Sequence, residues 1–171
     1  MGRIIPEKIA KIVQQKHEGK GVVINLNTKV INVIKNQNFY EVELSNNKKI
    51  KCDMIIEGIG SEPNTELFMN TDLKIENGIL VNEFCETSVE NVYAAGDIAN
   101  FYHPFYKKHI RIESWKHAQN HGVCAGKNIE GQKEIYKEIP WMWSDQYDLN
   151  LQLTGLCQDY DTFVERGTSA K

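Results

Sequence analysis

Neither the 171 residues nor their order contains a cysteine pair at metal or redox spacing. Cys52, Cys85, Cys124 and Cys157 are far apart and form no Cys-x-x-Cys, so they read as reduced thiols in a cytoplasmic protein. An excess of positive charge is also lacking. The 20 Lys and Arg are outnumbered by 23 Asp and Glu, which argues against a general nucleic-acid or membrane-surface binder. No apolar stretch approaches a membrane span, and the first residues lack the basic-then-apolar layout of a signal peptide. Pro6 stands where N-myristoylation requires Ser or Thr. There is no Ser-His-Asp order, no Gly-x-Ser-x-Gly and no metalloprotease motif, hence no candidate nucleophile or general base. The segment Gly58-Ile-Gly60-Ser-Glu-Pro-Asn64 starts like a dinucleotide fingerprint, but Pro63 takes the place of the third glycine and no strong helix signal follows at once. Repeats and low-complexity linkers are absent.

What is present is ordinary for a globular protein: 41% hydrophobic and 25% charged residues, in a chain long enough for one or two cores. Pro6 opens a helix with Ile9, Ile12 and Val13 on one face, closed by Gly19 or Gly21. Three β-like runs follow, at 22–26, 28–34 and 39–44, with turns at Asn36-Gln-Asn38 and Ser45-Asn-Asn-Lys48. They predict an antiparallel meander in which Tyr40, Val42 and Leu44 alternate with Glu41 and Glu43. The run 49–56 ends in Met54-Ile-Ile56, apolar on consecutive positions like a strand buried on both faces. Short strands are expected at 79–81 and 92–95. A helix is expected over 113–130, with Trp115, Ala118, Gly122, Gly126 and Ile129 forming a small-residue face for close packing.

Two segments stand out chemically. In Ile139-Pro-Trp-Met-Trp-Ser-Asp-Gln-Tyr-Asp148, two tryptophans alternate with polar groups, which suits a wall that is aromatic on one side and wet on the other. In Thr87-Ser-Val-Glu-Asn-Val-Tyr-Ala-Ala-Gly-Asp97, a carboxylate follows an apolar run and a glycine. At the C-terminal end of a strand such a carboxylate can accept hydrogen bonds from sugar hydroxyls. It can equally be a helix N-cap, and composition alone favours that plainer role. The helix beginning at Glu113 presents free N–H groups at its N-terminus, or is simply an amphipathic helix packed on a sheet. His117, His121 and Cys124 share one face of it, but no paired Cys/His cluster completes a tetrahedral metal set, so both histidines are expected to pair with backbone and water.

Together these runs resemble the FAD-dependent, NAD(P)H-using reductases of ferredoxin, rubredoxin and putidaredoxin, the family that includes apoptosis-inducing factor. The resemblance covers nearly the whole chain and implies an α/β fold with an α+β C-terminal part: a fragment of a two-nucleotide-domain FAD/NAD(P)-binding fold carrying an antiparallel meander. It implies the second half of an NAD(P)-binding domain over residues 1–62, the later part of an FAD-binding domain over 63–131, and the start of an interface domain over 132–171. It places Gly96 and Asp97 at the FAD ribityl chain. Glu113, Ser114 and Trp115 then lie near the electron-rich pyrimidine edge of the flavin, and His117 is a weaker candidate for tuning it. Trp143 lies beside the flavin on the side facing the carrier protein, with Asp145 and Gln146 behind it and Tyr147 open. Gly58, Gly60 and Pro63 line the nicotinamide cofactor, although a tight turn alone would explain both glycines.

The implied cofactors are FAD and NAD(P)H, and the implied partner is a ferredoxin- or rubredoxin-like electron carrier, with no membrane or nucleic acid. Such chemistry belongs to the cofactor, which fits the lack of a nucleophile. Neither glycine-rich fingerprint of such an enzyme occurs here, so the chain is expected to be an internal or C-terminal fragment needing a complementary N-terminal half. It is then expected to be poorly soluble or partly unfolded when isolated. A non-catalytic binding module and a member of the disulfide-reductase branch are the alternatives.

Overall fold

A computed structural model of the chain describes residues 5–157 and 160–167. The outer ends of the expected first and third segments, residues 1–4 and 168–171, lie outside these. The chain divides into two compact units, Lys11–Ser61 on one hand and Met1–Ala10 with Glu62–Lys171 on the other.

Helix α1, Glu7–Gly19, begins directly after Pro6, as the sequence predicts. Its end is closed by paired bonds from Gly21 N–H to the Glu18 carbonyl (2.9 Å) and from Val22 N–H to the His17 carbonyl (3.1 Å). That closure needs a left-handed residue, and Gly21 supplies it at φ +89°. In the Lys11–Ser61 unit, β1 (Val30–Lys35), β2 (Tyr40–Leu44) and β3 (Lys49–Cys52) form the expected antiparallel meander in the order β1-β2-β3. Val33 pairs with Val42, and Val42 with Ile50. Asn47 takes the left-handed position of the second turn at φ +64°. Val42 and Leu44 are buried, whereas every residue of β1 is exposed.

Two expected strands of this unit are not formed. Residues 22–26 are irregular, with Val23 82% exposed, and no strand among the described residues pairs with them. The run 49–56 stops being a strand at Cys52, because its partner Tyr40 is the first residue of β2 and the ladder has nothing further to pair with. Met54 and Ile56 are therefore not buried on both faces but 72% and 87% exposed.

The other unit holds a sheet ordered β4-β5-β6, from β4 (Ile79–Val81), β5 (Ala99–His103) and β6 (Lys108–Ile110). β4 and β5 run parallel, Ile79 opposite Ala99, and β5 and β6 antiparallel. The expected strand at 92–95 reduces to a single bridge between Glu86 and Tyr93. A 3₁₀ turn, Gly96–Ile98, follows and leads into β5. Helix α2, Trp115–Ile129, packs on this sheet around Phe101, which is fully buried.

The buried face of α2 is not the small-residue stripe. Gly122 and Gly126 are exposed, and Trp115 and Ile129 are 67% and 64% exposed. The helix instead buries His117, His121, Cys124, Ala125 and Asn128. The surface beneath is aromatic, so imidazole rings fill it as flat groups would. Phe101 lies 5.1 Å from the His117 ring in a stacked pose and 4.8 Å from the His121 ring, with Tyr136 edge-on at 5.2 Å. Finally β7 (Trp141–Gln146) and β8 (Leu149–Thr154) make a hairpin whose two-residue turn holds Tyr147 at φ +59°. No helix among the described residues is long and apolar enough to cross a membrane.

Candidate functional site

The alternation of β7 decides what its tryptophans can do. Trp141, Trp143 and Asp145 point to the open face of the hairpin, and Met142, Ser144 and Gln146 to the partly covered one. The aromatic side is thus the exposed side. Trp141 is 36% and Trp143 45% exposed, so neither indole is a core residue. The two indoles stack at 5.3 Å, and Trp143 meets Trp115 edge-on at 6.3 Å. Trp115 is the first residue of α2, so this open aromatic surface borders the helix N-terminus. Asp145 accepts a hydrogen bond from Asn150 (2.6 Å), and Gln146 donates to the Ser144 hydroxyl (2.8 Å).

Ser114 caps α2: its hydroxyl accepts the His117 N–H at 3.3 Å. Replacing it with alanine should cost about 1 kcal/mol, read as a lower midpoint in urea, with Ser114→Thr nearly neutral. Glu113, just outside the cap, is exposed and pairs with Arg111.

Asp97 does not follow a strand. It precedes one, inside the 3₁₀ turn that opens β5, and it caps no helix. Gly96 reverses the chain at φ +77°, and the Ala99 N–H returns to the Gly96 carbonyl. A Cβ at Gly96 would meet Ala118 at an ordinary 3.5 Å, so within the protein it is the backbone angle that calls for glycine. Asp97 is exposed, and among the described residues nothing donates to its carboxylate. The buried Gly96 N–H donates to Nδ1 of His121 (3.2 Å). His121 therefore carries its proton on Nε2, and α2 is tied to the Asp97 turn.

His117 is buried, with Nδ1 2.9 Å from the Tyr136 hydroxyl. Burial pushes the His117 imidazole down to about 4, helped by His103 and opposed by a backbone contact with Gly96. Burial, then the neighbouring His117, takes His121 down to about 3. Both are uncharged at neutral pH. Burial likewise pushes the Cys85, Cys124 and Tyr136 groups up, so the two thiols are protonated and unreactive. Among the described residues no group of three His, Cys, Asp or Glu could hold a metal ion.

Pro63 is half-buried near the start of the Glu62–Lys171 stretch. Gly58 and Gly60 belong to the Lys11–Ser61 unit, in an exposed stretch where a Cβ on either would meet nothing within 4 Å. Arg111, Gly78 and Tyr136 shape the site without having drawn notice in the sequence. The one available signal was Arg111 two residues before Glu113, a spacing that puts both on one side of an extended segment.

The Glu62–Lys171 stretch thus brings together a free carboxylate, a capped helix N-terminus and an open indole surface. They can accept from hydroxyls, favour negative charge and receive a flat ring, respectively. Among curated proteins, the ferredoxin–NAD(+) reductase component of an anthranilate 1,2-dioxygenase system from Burkholderia cepacia is 34% identical over 99% of this chain and 42% of its own length. Putidaredoxin reductase from Pseudomonas putida is 31% identical over 99% of this chain and 41% of its own. The chain therefore spans about two fifths of the length of the curated relatives it matches. A crystal structure of a ferredoxin reductase from Rhodopseudomonas palustris superposes with a TM-score of 0.93 at 29% identity, over 98% of this chain and 42% of that one. A covalent putidaredoxin reductase–putidaredoxin complex gives 0.89 at 31%, over 97% and 40%. The mixed helix-and-strand fold is thus that of part of an FAD/NAD-binding reductase. Residues 141–171 match the reductase C-terminal family model, residues 1–122 match that of pyridine nucleotide-disulphide oxidoreductase, and the chain belongs to the latter family.

Proposed function

We propose that this chain forms one wall of the flavin site of an oxidoreductase that passes electrons from NAD(P)H through FAD to a small iron-sulfur or iron carrier of ferredoxin or rubredoxin type. The observation that carries this reading is the open tryptophan surface of β7 meeting Trp115 at the mouth of α2. A soluble protein gains nothing from leaving three indoles exposed unless something flat covers them. The named activities of the relatives, ferredoxin–NAD(+) and putidaredoxin reductases, support the same reading.

The residues fit the redox end of FAD. Asp97 offers an exposed carboxylate to ribityl hydroxyls, and Trp143 offers a flat wall. The first N–H groups of α2 favour an electron-rich edge. When bound, FAD would supply hydride and single-electron chemistry that these side chains lack. Trp143 would orient such a ring, and His117 and His121, both neutral, would offer it no competing acid.

The pyrophosphate has no glycine-rich cradle within these 171 residues, so the reading requires residues outside this sequence to supply one. The assignment of residues 1–62, 63–131 and 132–171 to NAD(P)-binding, FAD-binding and interface domains belongs to this proposal. So do the nicotinamide role of Gly58, Gly60 and Pro63 and a cytoplasmic location, which four free cysteines support. The other reading is a non-catalytic module that keeps the surface around Trp143 for a carrier, and the exposure of Trp115 and Trp143 supports it.

FAD titration of the folded chain, followed by visible absorbance and flavin quenching, tests the reading. Saturable binding is expected, weakened about tenfold by Trp143→Ala, the equivalent of one lost ring contact. A folded chain that binds no FAD but retains an iron-sulfur carrier on the Trp143 surface would establish the module reading instead.

A further inference from the structure

Arg111 joins three segments that are far apart in sequence. Its Nε donates to Oδ1 of Asn77 at 3.2 Å, and its Nη1 donates to the backbone carbonyl of Asp97 at 3.1 Å and to the Glu113 carboxylate. The side chain is only 12% exposed, so its charge depends on these partners. Its stem passes over Gly78, where a Cβ would stand 3.0 Å from Arg111 Cδ. A guanidinium has donors in a fixed planar fork and can span three acceptors, which an ammonium on a flexible stem cannot do with the same geometry.

The consequences meet at Asp97. Gly96 is held through its N–H by His121, and the peptide after Asp97 is held through its carbonyl by Arg111. The backbone is held on both sides of Asp97, whose side chain is exposed to solvent. The second consequence is electrostatic. Glu113 sits immediately before the cap of α2, where its charge would repel any anionic group approaching the helix N-terminus. Arg111 offsets that charge.

We propose that Arg111 is a positioning residue that couples the Asp97 turn to the mouth of α2, aiming the Asp97 carboxylate and neutralising Glu113, so that both can meet a flavin. The role toward flavin rests on the flavin reading above, whereas the coupling does not. Amide hydrogen exchange measured by NMR on the full chain tests the coupling in wild type, Arg111→Lys and Arg111→Gln. The Gly96 and Ala99 amides should exchange about tenfold faster or more in Arg111→Gln and by an intermediate amount in Arg111→Lys, with the β7–β8 hairpin unchanged. Unchanged exchange at Gly96 and Ala99 in both variants would overturn the proposal.

FAD titration then tests the charge role. Arg111→Gln should bind about tenfold more weakly, and Arg111→Gln with Glu113→Gln should regain part of that loss. No recovery in the double variant overturns the charge role, because a merely structural arginine would be indifferent to Glu113. If wild type binds no FAD, this chain by itself forms no flavin site, and the exchange data alone then decide for or against Arg111 as the coupling residue.

Discussion

Between pH 8 and pH 5 the folded chain is expected to lose about 4 kcal/mol of stability through two buried histidines. His117 and His121 are 4% and 0% exposed, and burial takes them from 6.5 down to about 4 and about 3. The unfolded chain therefore binds protons first as the pH falls. Stability is full above 6.5, falls once the pH passes below it, and keeps falling until each folded-state value is reached. Each group contributes about 1.4 kcal/mol per pH unit inside that window, so about 1.5 units each gives the stated loss. Urea unfolding followed by tryptophan fluorescence measures it, since all three tryptophans lie in the unit that holds the histidines. His121→Asn keeps an acceptor for the Gly96 N–H and cannot titrate, so it should roughly halve the slope. Stability that stays flat from pH 8 to pH 5 would show that these imidazoles are not held neutral.

Gly78→Ala should cost about 3 kcal/mol or more, a fall of roughly 6–12 °C in Tm for a chain of this size. Two effects add. Gly78 sits at φ +115°, a conformation that L residues resist. Its Cβ would also lie 2.5 Å from the Ile98 carbonyl oxygen, which is backbone and cannot swing aside. Ile98 is fixed between the Arg111-bound Asp97 carbonyl and Ala99, which pairs with Ile79 in the parallel ladder. The control is Gly131→Ala, at φ +86° with nothing within 4 Å of its Cβ, which should cost only about 1 kcal/mol. Equal losses in the two variants would mean that the turn yields and that the Gly78–Ile98 approach is not tight.

Local chemistry was legible wherever a residue's role depends on near neighbours. Pro6 and Gly21 bound α1, Ser114 caps α2, and the alternation of Tyr40, Val42 and Leu44 with two glutamates sets the inner face of β2. The tryptophan run pointed to a half-open wall, and with the Ala-Ala-Gly-Asp run it pointed to the family. Other features depended on what lies opposite. Met54-Ile-Ile56 has the composition of a core strand, yet β2 ends before it can be paired. Ala99–His103 carried no strand expectation, yet it is an almost wholly buried strand because β4, β6 and α2 surround it. The small-residue stripe of α2 looks like a packing face, but aromatic Phe101 and Tyr136 select the imidazole face instead. Asp97 reads from composition more readily as a cap than as a strand-end carboxylate, and only the turn at Gly96 made it neither. Arg111 finds its partners 34, 14 and 2 residues away. Sequence determined the local backbone and the chemical inventory, because caps, turns and alternation are short-range. Tertiary structure decided which face is buried and which charges meet, because burial and pairing depend on segments that come together only when the chain folds.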